Sequence, residues 1–130
     1  MRVAPDHRRV VLVVDDEPDL RRLVARTLPA NQYVVLEAAD GWEALSMAYA
    51  LAPRLDLVIT DLSMPVMDGY TLAQHLLHLS GPPAILFITG CDETPAGEFP
   101  AGLMLRKPFH PDTLLAFVER MLQVGRRVLR

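Results

Sequence analysis

"VITDLSMPVMDGY" (residues 58–70) drives an apolar, β-branched run straight into an acid, Asp61. In an extended chain Val58 and Ile59 point to opposite faces, so a strand here needs apolar cover on both sides. That requirement is met by a parallel sheet with helices packed on each face. An ionised carboxylate at the rim of such a core is costly unless something compensates it. The rest of the chain must therefore supply both the covering helices and the compensation.

Upstream, "VVLVV" (10–14) is a second strand of the same two-faced kind, and it also ends in acid, "DDEP" (15–18). Pro18 suits a first helical turn, and Leu20, Leu23, Val24 and Leu28 then recur at helical spacing. "YVVLEA" (33–38) predicts a strand. Asp40 with Glu43 predicts a capped helix running to about Leu51, closed by Pro53. "LDLVITD" (55–61) is the central strand, with a helix expected over 68–80 and Asp68 as its cap. "GPP" (81–83) turns into "AILFIT" (84–89), and "LMLR" (103–106) is a fifth strand. Pro111 and Asp112 open a last helix, with Leu114, Phe117, Val118, Met121 and Leu122 on one stripe and Gly125 as the expected stop. Five strands alternating with helices make an α/β domain built on one parallel sheet, joined by right-handed crossovers. Its expected extent is residues 9–124, after a flexible N-terminal segment (1–8) and before a basic C-terminal tail (125–130).

Composition narrows the function. At 130 residues the chain is one domain's worth and buries enough surface to fold without disulfides. Its single cysteine, Cys91, has no internal partner and reads as a passive thiol; with no signal-peptide pattern the expected location is cytoplasmic. No apolar run approaches the length a bilayer demands, and a formal net charge of -3 argues against a nucleic-acid binder. The histidines at 7, 75, 78 and 110 lack metal-ligand spacing and read as solvated or capping groups. Trp42, Tyr49 and Tyr70 read as packing residues.

In an open parallel sheet, ligands bind beyond the carboxyl ends of the strands. Asp15 and Asp16 end the first strand, Asp61 the third and Thr89 the fourth, and Lys107 follows the fifth. Three carboxylates meeting there repel one another, and one lysine cannot offset them all. Hard oxygen donors favour Mg2+ over zinc. A metal beside a lysine and a hydroxyl suits a phosphoryl group, with Asp61 as a carboxylate nucleophile.

In order and spacing, "VVLVVDDEPDLRRLV", "VITDLSMPVMDGYTL", "ILFITG" and "LRKPF" resemble the CheY-like receiver domain of two-component response regulators, over about residues 9–123. The resemblance implies a flavodoxin-like, doubly wound sheet in the order 2-1-3-4-5. It implies phosphorylation of Asp61 by a histidine kinase or histidine phosphotransfer protein. It also implies Mg2+ held by Asp16 and Asp61, by Asp15 largely through water, and by the main-chain carbonyl of Ser63. Lys107 would contact the phosphoryl group before a cis bond to Pro108, and Thr89 would be the switch hydroxyl. Met104 stands at the switch position where the family usually carries an aromatic residue. Only residues 90–106 separate Thr89 from Lys107, so the usual fourth helix is expected to be short, irregular or absent. That shortening resembles receivers of hybrid histidine kinases and free-standing receivers.

The expected role is thus a signalling phosphoacceptor that assists its own chemistry rather than an enzyme turning over a substrate. A phosphatase or dehalogenase would want a second acid on the loop of Asp61, and a flavin or nucleotide binder a Gly- or Ser/Thr-rich loop where "DDEP" stands. A phosphate-independent interaction domain is the remaining alternative.

Overall fold

The computed structural model describes residues 7–90 and 102–128. The described elements follow the order β1 (Arg9–Val14), α1 (Pro18–Thr27), β2 (Tyr33–Ala38), α2 (Gly41–Leu51), β3 (Leu57–Asp61), α3 (Gly69–Leu76), β4 (Ala84–Thr89), β5 (Gly102–Arg106) and α4 (Pro111–Val128). All neighbouring strands pair parallel, in the sheet order β2-β1-β3-β4-β5. This is the doubly wound arrangement expected from the sequence. The expected peculiarity of the fourth family helix falls on residues 91–101, outside the described residues, as does Cys91.

Alternation along each strand sorts the core into two layers. Leu12, Val14, Val58, Ile85 and Phe87 pack with Ala44, Ala48, Leu72 and Leu76 of α2 and α3. Val11, Val13, Leu57, Ile59, Leu86 and Ile88 pack on the other face with Val24, Leu114 and Val118 of α1 and α4. Each of the Val, Leu, Ile and Phe side chains contributes about 1.5–3 kcal/mol on burial. The two layers pin the register, because a slip by one residue would exchange the faces of an entire strand.

Helix ends follow local chemistry. Asp40 Oδ1 accepts from the Glu43 N–H at 2.8 Å, and Glu43 Oε1 accepts from the Ala39 N–H at 2.8 Å, a reciprocal cap on α2. Asp68 Oδ1 accepts from the Thr71 N–H at 2.7 Å at the start of α3, as expected. His110 Nδ1 accepts from the Asp112 N–H at 3.1 Å, so this histidine caps α4.

Several expectations need correction. The central strand begins at Leu57, not Leu55, and α3 ends at Leu76 rather than near Ser80. There the His78 and Leu79 N–H groups turn back on the carbonyls of His75 and Leu76. Gly125 does not stop α4, which runs on to Val128 through the first part of the stretch read as a tail. A single glycine costs a helix only about 1 kcal/mol relative to alanine. Leu23 lies off the core-facing row of Leu20, Val24 and Leu28 and is exposed. Trp42 and Tyr49 are not packing residues: at 59% and 62% exposure they stand one above the other on the outer side of α2, seven residues apart. Tyr70 does pack against the α2–α3 layer.

Candidate functional site: an acid cluster at the carboxyl end of the sheet

Parallel pairing brings the ends of β1, β3 and β4 to one edge, since Val14 is level with Thr60, and Asp61 with Ile88. The residues just past those ends converge. One carboxylate oxygen from each of Asp15, Asp16 and Asp61 lies within 4.8 Å of the others. Direct ligands of an octahedral Mg2+ lie about 3–4 Å apart, so this spacing lets each acid reach one ion directly or through a water. The donor set, all hard oxygen, fits Mg2+.

Asp15 and Asp61 are almost fully enclosed, at 2% and 6% exposure, whereas Asp16 is exposed. Each buried acid is tied to the chain. Asp15 Oδ1 accepts from the Glu17 N–H at 2.9 Å. Asp61 Oδ1 accepts from the Ser63 N–H at 3.1 Å, and Asp61 Oδ2 from Lys107 Nζ at 3.1 Å. Lys107 is held in place by its own N–H, which donates to the Thr89 carbonyl at 2.8 Å, and the Lys107–Pro108 peptide is cis. Thr89 is fully buried, its hydroxyl donating to the Gly90 carbonyl at 3.2 Å. Met104, level with Phe87, packs against the α2–α3 layer. The structure therefore gathers Asp15, Asp16, Asp61, Ser63 and Lys107 at one end of the sheet and places Thr89 at the adjoining end of β4.

Charge and burial shape the titration. Burial pushes the Asp15 carboxyl up to about 6; the Glu17 N–H pulls it back, while the Asp61 charge adds to the rise, as does Asp16, and Lys107 opposes it. Burial also works against the Lys107 ammonium. The hydrogen bond and charge of Asp61, reinforced by Asp15 and Glu17, outweigh that effect and hold its pKa above the ordinary lysine value.

The Asp15 shift has a measurable consequence. Its folded-state pKa lies above the unfolded value, so the folded protein binds more protons across that interval. The resulting stabilisation is complete below about pH 4 and is lost as pH rises through about 6. Asp15→Asn is expected to flatten this part of the stability profile of the metal-free protein and to stabilise it at pH 7 by roughly 1–3 kcal/mol. Denaturant melts from pH 4 to 7 measure the difference, and identical profiles for the two proteins would refute it.

Two contributors carried no obvious sequence signal. Gly69 reads as the residue after a cap, yet a Cβ there would overlap the Asp61 carbonyl oxygen and come within 3.0 Å of Leu62 Cα. Arg21 is not among the candidate site residues of the sequence, yet its Nη1 donates to the Asp15 carbonyl at 2.8 Å. Both act on backbone atoms, and no spacing rule reports such contacts. Val66, in the loop after β3, holds a positive φ of 72° that a β-branched residue rarely adopts.

Residues 11–119 match the response regulator receiver domain family. Over 116 residues the chain is 37% identical to a probable transcriptional regulator, ycf27, of Porphyridium aerugineum, covering 87% of this chain and 48% of that protein. It is 36% identical over 117 residues to the sensor kinase CckA of Brucella abortus (strain 2308), covering 87% of this chain and 12% of the kinase. The solved receiver domain of the hybrid histidine kinase CckA is similar at a TM-score of 0.75 and 39% identity, covering 87% of this chain and 98% of that domain. The chemotaxis response regulator CheY4 of Vibrio cholerae is similar at a TM-score of 0.74 and 35% identity, covering 88% of this chain and 99% of that one. The chain spans about half the length of the ycf27 regulator and a small part of the CckA kinase. Because the family match spans residues 11–119, from β1 into α4, and so takes in the three acids, Thr89 and Lys107, this chain belongs to the response regulator receiver domains of two-component signalling.

Proposed function

We propose that the chain accepts a phosphoryl group on Asp61 from a phosphohistidine, carried by a histidine kinase or a histidine phosphotransfer protein. The observation that carries this reading is the buried Asp61 carboxylate, 3.1 Å from Lys107 Nζ and grouped with Asp15 and Asp16. An acid in that setting costs folding energy, and a reaction at its oxygen accounts for its position.

Asp15, Asp16 and Asp61, with the Ser63 main-chain carbonyl, would hold Mg2+. The ion would neutralise phosphoryl oxygens and lower the barrier to nucleophilic approach. An Asp61 carboxylate oxygen attacks phosphorus, forming an acyl phosphate as the P–N bond breaks, and the departing imidazole keeps the bonding pair and takes up a proton. Lys107 moves from Oδ2 to a phosphoryl oxygen. The Thr89 hydroxyl can rotate from the Gly90 carbonyl to donate to another, since a hydroxyl rotor commits to one partner at a time. In this chain Met104 takes the neighbouring switch position without an aromatic ring. The added charge then biases the loops around Thr89 toward a different partner affinity. The work is signalling, one transfer for each signal.

A net charge of -3 supports a protein partner over nucleic acid. Among the described residues no helix is long and apolar enough to cross a membrane, and a cytoplasmic setting fits a phosphohistidine donor.

Acetyl phosphate with Mg2+, followed by intact mass, tests the assignment. The expected result is a gain of one phosphoryl group, lost in Asp61→Asn and on chelation of the metal. An adduct of equal yield in Asp61→Asn would move the site elsewhere. No adduct in the wild-type protein would favour a phosphate-independent interaction domain.

A further inference from the structure

Asp16 is the exposed member of the acid cluster, and among the described residues no hydrogen bond holds its side chain. The reach of its carboxylate is therefore limited by where the preceding backbone places its Cα. That backbone is clamped. The Asp15 N–H donates to the Ala38 carbonyl of β2 at 3.2 Å, and the Asp15 carbonyl accepts from Arg21 Nη1 at 2.8 Å. Arg21 Nε in turn donates to Glu37 Oε1 of β2 at 3.1 Å, and the arginine side chain is only 15% exposed. One guanidinium thus joins α1, β2 and the peptide between the two acids.

From this we infer that Arg21 is a positioning residue for the cation site, a deepening that rests on the phosphoacceptor reading above. Holding the Asp15 carbonyl fixes the plane of the Asp15–Asp16 peptide, and that plane sets where the Asp16 Cα stands and so which positions beside Asp61 its carboxylate can reach. Arginine suits the task because its planar fork reaches two acceptors at a fixed angle, whereas a lysine ammonium is a point charge on a flexible stem. The bond goes to a carbonyl and not to a carboxylate, so the guanidinium offsets the repulsion of the acids without competing for the oxygens a cation needs. Glu37 completes the device by holding the far edge of the guanidinium.

Calorimetric titration of the metal-free protein with Mg2+ tests this, with acetyl phosphate kinetics at varied Mg2+ as the second measurement. Arg21→Ala is expected to weaken Mg2+ binding about tenfold, the scale of effect seen when a group orienting a metal ligand is removed. The half-saturating Mg2+ for phosphorylation should rise by the same factor, with a much smaller change in maximal rate. Arg21→Lys keeps the charge but not the fork and should fail to rescue.

Wild-type Mg2+ affinity in folded Arg21→Ala would overturn the inference. So would full rescue by Arg21→Lys, because a single flexible ammonium would then hold the Asp15 carbonyl as well as the planar fork does. If Arg21→Ala does not fold, Arg21→Lys alone decides by the same criterion. Absence of Mg2+ binding by the wild-type protein would instead strike the phosphoacceptor reading itself.

Discussion

Lys107→Ala is expected to slow phosphorylation by acetyl phosphate about a hundredfold at saturating Mg2+, the scale of losing one preorganised charge beside a developing oxyanion. The cation sits 3.1 Å from Asp61 Oδ2, and its environment keeps it protonated across the neutral range. It is the one cationic side chain among the described residues that bonds directly to a carboxylate of the cluster. Its removal leaves the phosphoryl group without a protein cation where charge is greatest. Mg2+ binding should persist or tighten, because the three carboxylates remain and lose a competitor for their charge. Time courses of the mass adduct and a parallel Mg2+ titration separate the two effects. Equal rates in mutant and wild type would remove Lys107 from the chemistry, and loss of Mg2+ binding would make its role structural.

Gly69→Ala is expected to cost about 3 kcal/mol of folding stability, at the upper end of what overpacking a tight site usually costs. The new methyl would meet main-chain atoms, the Asp61 carbonyl oxygen and Leu62 Cα, and neither can rotate away as a side-chain tip would. The site is also fixed from other directions. The Gly69 N–H donates to the Leu62 carbonyl at 2.9 Å, the Leu62 N–H to the Ile88 carbonyl at 2.8 Å, and the Thr60 hydroxyl to the Asp61 carbonyl at 3.0 Å. Relief by backbone movement would therefore shift Asp61 itself, so any folded fraction should accept phosphate slowly. Denaturant melts measure the first effect and mass time courses the second. A loss below about 0.5 kcal/mol would show that the loop yields more easily than its hydrogen bonds suggest.

Much of this was legible in the chain because the signals are local or periodic. Two-faced apolar strands such as "VVLVV" announce a covered parallel sheet, and acids at several strand ends announce a shared polar edge once the sheet is assumed. Where the expectations slipped, the deciding contact was distant or the residue sat beside a stripe. Trp42 and Tyr49 have apolar neighbours in sequence, but the turn of α2 carries those neighbours inward and the two rings outward. Leu23 is three residues from Leu20 and still misses the core-facing row. The end of α3 at Leu76 has no proline or glycine to mark it, so the apolar pattern through Leu79 concealed the change from helix to turn.

The sequence by itself determined the layered α/β fold, the order of its elements and the acids, threonine and lysine that meet at one end, because periodicity and residue chemistry are properties of short stretches. Only the tertiary structure decided how those groups are held. Asp61 is buried to 6% exposure with both oxygens engaged, burial pushes the Asp15 carboxyl up to about 6, and the Asp15 carbonyl rests on an arginine six residues away. Burial, electrostatic coupling and the close approach of one backbone to another depend on distances across the fold, and those are set when the strands pair and the helices close over them.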